Sequence, residues 1–199
     1  MNWSGGAFDP KTGVLYVPTS NDVHLVRLEK LPPENFNETD GVVLHTSWSA
    51  LRWVFSRKGT GLRYGQIRDT LLEDGLPCHK PPWGMLHAVD LNSGEILWQI
   101  PTGEDPKSGV RGLPNFGPPL VTAGGLVFHA GTKELKLRTH DAATGRVLAT
   151  FDLPAGLHAG PITYKLRPDG KQFLVIAPGG HARLGSKLGD YVIAYTLGN

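Results

Sequence analysis

Two stretches of this chain are the same turn written twice, and that repeat constrains the fold more than any other feature. AVDLNSGEILW at 88–98 and THDAATGRVLA at 139–149 each run from an apolar strand end through Asp-x-x-Ser/Thr-Gly into a second β-prone segment. Asp90 and Asp141 are placed to accept hydrogen bonds from backbone N–H groups two or three residues on, and Gly94 and Gly145 to take the positive φ of a tight hairpin. The flanks repeat too, since GPPLVTAGGLVFHAG at 117–131 is echoed by GPITYKLRPDGKQFLVIAPGG at 160–180. Gly117 and Gly160 are 43 positions apart, and Asp90 and Asp141 are 51 apart. Short strands recurring with a period of about 40–50 residues predict a β-propeller, one four-stranded blade per repeat.

The strands count out as roughly three blades. PLVTA, GLVFHAG, KLRTHD and RVLATFDL make one complete blade within 112–155, whereas PITYKL, QFLVIAP and DYVIAYTL leave the last, 156–199, one strand short. The first blade is assigned to 1–30 plus 83–104, interrupted by an insertion over 31–82. The whole chain, 1–199, is thus read as an all-β partial propeller. Three blades do not close a ring, and an open arc leaves strand edges and apolar faces exposed. The expectation is therefore a piece of a larger protein; a sandwich of irregular hairpins would explain the strands but not the repeat.

Composition narrows the partners. The formal charge of +2 comes from basic residues scattered among acidic ones, so nucleic acid and anionic membranes are poor candidates. Arg52, Arg57, Lys58, Arg63 and Arg68 in the insertion read as a solvated loop face. Cys78 is the single cysteine, which excludes an internal disulfide, and PCHKP lacks the second cysteine of a covalent haem site. No apolar run approaches the roughly 18 residues of a membrane span, and MNWSGGAFDP has no signal-peptide pattern.

Several longer motifs resemble one family: LPCHKPPWG at 76–84, GLPNFGPPLVTAGGLVF at 112–128, and APGGHARLGSKLGDYVIAY at 177–195, in that order. The chain resembles the carboxyl-terminal portion of the quinoprotein dehydrogenases that use pyrroloquinoline quinone (PQQ), among them the membrane-bound glucose, quinate and polyol enzymes. AVDLNSGEILWQIPTGE looks like that family's tryptophan docking motif, with Trp98 packing between neighbouring sheets and Ala149 standing at the tryptophan position of the second copy. The resemblance implies an eight-bladed ring with PQQ and a calcium or magnesium ion on its axis. It implies hydride transfer from a sugar, polyol or cyclic alcohol, electrons passed to membrane ubiquinone, and a periplasmic, membrane-associated setting. The remaining blades would be this chain's partners, and the catalytic base and metal ligands would lie on them.

Cofactor-binding candidates follow from the same match. His181, after Gly179 and Gly180 at a strand end, is expected at the PQQ face, with Gly180 permitting close backbone approach to a ligand or a neighbouring turn. Asn2 and Trp3 match an Asn-Trp pair of the axial site, an amide for a quinone oxygen and an indole wall. Asn115 begins an inner strand near the axis, where a cofactor contact and a turn cap are equally open readings. Trp83 reads as a packing residue. No catalytic base and no metal ligand are assigned within these residues. Other readings are a non-catalytic propeller scaffold with PQQ-like repeats and an inactive truncated product; the GGH loop and PCHKPPWG favour the enzyme.

Overall fold

The computed structural model describes residues 5–30, 41–46, 49–56 and 64–196. In chain order the strands are β1 (Ala7–Asp9), β2 (Val14–Ser20), β3 (His24–Lys30), β4 (Gly41–Thr46), β5 (Ser49–Ser56) and β6 (Tyr64–Thr70). There follow β7 (Leu72–Glu73), β8 (Leu76–Pro77), β9 (Gly84–Asp90), β10 (Ile96–Pro101), β11 (Leu120–Val121) and β12 (Leu126–His129). The last are β13 (Lys136–Asp141), β14 (Val147–Asp152), β15 (Ile162–Lys165), β16 (Gln172–Ile176) and β17 (Ile193–Thr196). They form two compact units, Met1–Asn21 with Pro81–Asn199, and Asp22–Lys80.

The first unit holds three antiparallel sheets in the orders β1-β2-β9-β10, β11-β12-β13-β14 and β15-β16-β17. These are two four-stranded blades and a three-stranded one, the partial propeller that the repeat implies. Each sheet alternates its side chains, so one strand serves two interfaces. Val14, Tyr16, Leu86 and Ala88 of the first sheet pack with Val127 of the second. Leu137, on the opposite face of the second sheet, packs with Leu174 and Ile176 of the third. Ile162 and Tyr164 lie on the third sheet's other face and are 58% and 40% exposed, as expected of a blade face lacking a neighbour.

The second unit has the sheet order β3-β6-β4-β5 and the small hairpin β7-β8. It begins earlier than the sequence reading of an insertion at 31. β3, assigned there to the first blade as part of 1–30, pairs along its whole length with β6, from His24↔Thr70 to Lys30↔Tyr64. The first blade already has four strands without it, because β2 is paired with β1 on one side and β9 on the other.

Among the described residues the repeated turn occurs four times. Asp9, Asp90, Asp105 and Asp141 each accept from the backbone N–H of a residue two or three positions on, at 3.0, 2.8, 2.8 and 2.9 Å for Lys11, Asn92, Ser108 and Thr144. Their backbone carbonyls accept from Gly13, Gly94, Gly109 and Gly145. Hydrogen bonds from Asn92, from Ser108 and from the Thr144 hydroxyl hold the Asp90, Asp105 and Asp141 carboxyls below the usual carboxylate range.

What needs the turn is the neighbouring blade. Trp98 lies against the second sheet's turn, its Nε1–H donating to the Ala142 carbonyl at 2.9 Å, and the Tyr16 hydroxyl donates to the same oxygen at 3.1 Å. The two rings lie 5.8 Å apart. A bulge between Ile96 and Trp98 turns Trp98 onto the face of Ala88, toward that interface. In β14 Ala149 holds the equivalent place, and Phe151, two residues on, supplies the aromatic contact instead, 5.3 Å from Tyr195 of the third sheet.

Two glycines of this turn separate conformation from packing. Gly94 has φ +77° with nothing near its missing Cβ, whereas a Cβ on Gly145, φ +73°, would lie 2.8 Å from Trp98 Cε3. Gly94→Ala is expected to cost about 1–2 kcal/mol, the cost of a left-handed alanine. Gly145→Ala is expected to cost at least about 1 kcal/mol more because the indole must move or strain. Urea titrations of both variants check this, and equal losses would refute the docking role.

Candidate functional site

Antiparallel pairing brings one set of loops to a common end of the three sheets. These are 102–119 before β11, 130–135 after β12, 153–161 before β15 and 177–192 after β16. The end of β2 and the start of β9 lie there too, since Ser20 pairs with Gly84.

Asn115 is the centre of the first cluster. It is 2% exposed, and its Nδ2 donates to the Thr19 carbonyl and to Thr102 Oγ1, both at 3.0 Å. Its N–H donates to Ser20 Oγ at 2.9 Å, and the Ser20 hydroxyl donates back to the Asn115 carbonyl at 2.8 Å. The donor half of the amide is therefore spent tying β2 to the end of β10. The acceptor half, Oδ1, is buried without a hydrogen bond among the described residues. Gly84 lets these strands close up, for a Cβ there would strike Thr102 Oγ1 and the Leu113 carbonyl. Nearby, His87 Nε2 meets the Thr19 hydroxyl at 2.9 Å, and burial holds the imidazole below its ordinary pKa.

Loops 153–161 and 177–192 form the second cluster, joined by backbone bonds. Gly156 N–H donates to the Lys187 carbonyl at 2.9 Å, and Gly180 N–H donates to the Gly156 carbonyl at 2.8 Å. Gly180, φ +71°, faces the Lys187 carbonyl and Leu188 so closely that no side chain fits. Its close approach is to this neighbouring turn. His181 follows, preceding a 3₁₀ turn at Ala182–Leu184, and its ring lies 6.1 Å from that of His158, edge-on. Ser186, 7% exposed, joins the two histidines: its Oγ accepts from the His181 N–H at 2.8 Å and lies 2.8 Å from His158 Nε2.

His181, Gly180 and Asn115 thus share one end of the blades. Asn2 and Trp3 lie outside the described residues. Trp83 is 4% exposed; its N–H donates to the Gly112 carbonyl at 2.8 Å and its carbonyl accepts from Asn21, so it anchors the return into β9. Sequence reasoning passed over His158 and Ser186. The only signal was the polar residue in each of GLHAGP and LGSKLG, and 28 positions separate them. Among the described residues no group of three or more His, Cys, Asp and Glu is arranged to hold a metal ion, and no helix is long and apolar enough to cross a membrane.

Residues 1–174 match the model of the PQQ glucose/ethanol/alcohol dehydrogenase β-propeller domain. The chain belongs to this family. It is 38% identical to a probable quinate dehydrogenase (quinone) of Xanthomonas campestris pv. juglandis, over 99% of this chain and 26% of that protein. To the quinate/shikimate dehydrogenase (quinone) of Acinetobacter baylyi it is 34% identical, over 99% and 25%. The quinoprotein glucose dehydrogenase of Escherichia coli is 39% identical over 69% of this chain and 18% of that protein. Among solved structures, a europium-containing methanol dehydrogenase aligns with a TM-score of 0.54 and 26% identity, covering 88% of this chain and 24% of that one. The quinohemoprotein alcohol dehydrogenase of Comamonas testosteroni aligns at 0.55 over 98% and 25%, a likeness of fold. The chain spans about a quarter of the length of the quinate dehydrogenases it matches.

Two features of these clusters bear on the family's cofactor, PQQ. Among the described residues Asn115 Oδ1 is a buried acceptor without a hydrogen bond, and His181 stands on a loop held by backbone bonds from Gly156, Gly180 and Gly189.

Proposed function

We propose that this chain forms part of a PQQ-dependent dehydrogenase that oxidises a sugar, polyol or cyclic alcohol, with electrons passing to membrane ubiquinone from a periplasmic, membrane-associated enzyme. The observation that carries the reading is His181, joined by Ser186 to His158 at the loop end of blades whose family is the quinoprotein propeller. PQQ, when bound, supplies a two-electron acceptor for hydride. His181 offers an imidazole to the cofactor or the alcohol, Gly180 keeps its loop tight, and Asn115 contributes by holding the strand ends. Asn2 and Trp3 complete the proposed contacts. A calcium or magnesium ion and the catalytic base belong to the remaining blades, which would cover the exposed Ile162 and Tyr164 face. The quinate-type relatives make a cyclic polyol the first substrate to try.

By itself the 199-residue chain is expected to show no dye-coupled oxidation of quinate, glucose or glycerol with PQQ and calcium, because positioned base and metal supply much of the rate. The test of the reading is the longer product of any reading frame that continues upstream of Met1, assayed with and without PQQ. PQQ-dependent turnover is the expected result. His181→Ala should then lower kcat/KM by at least several-fold, the scale of one lost contact to the cofactor or transition state, with the melting temperature nearly unchanged. A longer product that binds no PQQ would establish the scaffold reading instead.

A further inference from the structure

We propose that His158 is a positioning residue of this site, acting on His181 through the hydroxyl of Ser186; the proposal rests on reading His181 as a cofactor- or substrate-facing residue. Ser186 is one buried hydroxyl with three neighbours. It accepts the His181 N–H at 2.8 Å, lies 2.8 Å from His158 Nε2, and lies 3.4 Å from the His181 carbonyl. A hydroxyl has one proton to give. In the proposed arrangement the 2.8 Å contact takes it: Oγ–H donates to a lone pair on Nε2, and the hydroxyl oxygen stays turned to receive the His181 amide.

This arrangement requires a neutral His158. Burial first, and the neighbouring His181 second, hold its pKa below the ordinary imidazole value. With Nε2 as acceptor the ring proton sits on Nδ1, which is buried without a hydrogen bond among the described residues. His158 therefore has both a latch on the His181 loop and an N–H beside it that is not yet satisfied. Gly156 makes room for the latch: a Cβ there would lie 2.7 Å from Ser186 Oγ and 3.1 Å from His158 Nε2. The rest of the stitching is backbone to backbone, from Gly156, Gly180 and Gly189 to Lys187, Gly156 and Gly179. The His158–Ser186 pair adds a side-chain contribution, and its Ser186 hydroxyl reaches the His181 amide directly.

The experiment uses the full 199-residue chain, labelled for imidazole and amide NMR. In the wild type the His158 ring is expected as the Nδ1–H tautomer. Ser186→Ala should abolish that preference and speed exchange of the His181 amide about 2- to 10-fold, the ordinary reach of one lost hydrogen bond. Ser186→Thr, which keeps the hydroxyl, should restore both. His158→Ala should speed the same amide, and His158→Gln, whose amide can replace the acceptor, should rescue it. The two conservative variants keep the test decisive where an alanine variant does not fold. An Nε2–H tautomer in the wild type, or a His181 amide indifferent to both positions, overturns the proposal. A separate arm adds PQQ and follows the His181 ring signals. A shift in the wild type that shrinks in Ser186→Ala and returns in Ser186→Thr is expected. If the latch signatures hold and PQQ moves nothing in the longer product either, the functional reading fails and His158 is left with loop structure only, which overturns its role at a site.

Discussion

Acidification from about pH 7 to about pH 4.5 is expected to remove about 2.5 kcal/mol of folding stability through His129 alone. His129 is 5% exposed in the second sheet, beside His140 and Arg138. Its pKa is pushed down from 6.5 to about 3, by burial first and by His140 next, while a hydrogen bond with the Gly117 backbone opposes the shift and Arg138 adds to it. Among the described residues Nε2 is buried with no hydrogen-bond partner to stabilise a proton. The unfolded chain binds a proton near pH 6.5 that the folded chain refuses until about pH 3. Stability is therefore fully present above the unfolded pKa and falls as pH drops through that window, by about 1.4 kcal/mol per unit. Burial lowers His140 and His158 as well, which steepens the slope. The check is urea unfolding at several pH values between about 7.5 and 4.5, for the wild type and His129→Leu. The variant should show a flatter profile. A wild-type midpoint independent of pH between about 7 and 5 would show that His129 takes up its proton in the folded state.

Trp98→Ala is expected to cost about 3 kcal/mol, the lower end for truncating a large aromatic because the indole is only half-buried. It removes the ring from Gly145 and Tyr16 and leaves the Ala142 carbonyl with the Tyr16 hydroxyl alone. Trp98→Phe keeps the ring and should lose about 1 kcal/mol, the share of the Nε1–H bond. The partner substitution identifies the contact. In a Trp98→Ala background Gly145→Ala has no indole to strike, so its cost should fall to that of Gly94→Ala. Strict additivity of the two losses, measured by denaturation of the single and double variants, would mean that Trp98 does not dock on this turn.

Much of this architecture was legible because its causes are local. Alternating side chains, Gly-rich turns and the Asp-x-x-Ser/Thr-Gly hairpins are properties of a few consecutive residues, and they account for β9 to β17 and the missing strand of the last sheet. The docking tryptophan was legible through resemblance. The partner of β3 was not: HLVRLEK is as good a strand for the first blade as for the insertion, and only the pairing of β2 with both β1 and β9 excludes it.

His181, Gly180 and Asn115 stood out in the sequence because their loops carry distinctive motifs. Their surroundings did not. Whether a glycine's open face meets a ligand or another loop depends on what the fold brings opposite it, and for Gly180 that is the Lys187 carbonyl. Whether an asparagine caps a turn or binds is likewise a matter of which groups reach its amide, here Thr19 from β2 and Thr102 from the loop that follows β10. The sequence by itself determined where strands and tight turns form, since both depend on neighbours along the chain. Only the tertiary structure decided that Trp98 sits over Gly145, and that His158 reaches Ser186 and through it His181. Contacts across 28 or 47 residues exist only after the sheets have packed and their connecting loops have met at one end.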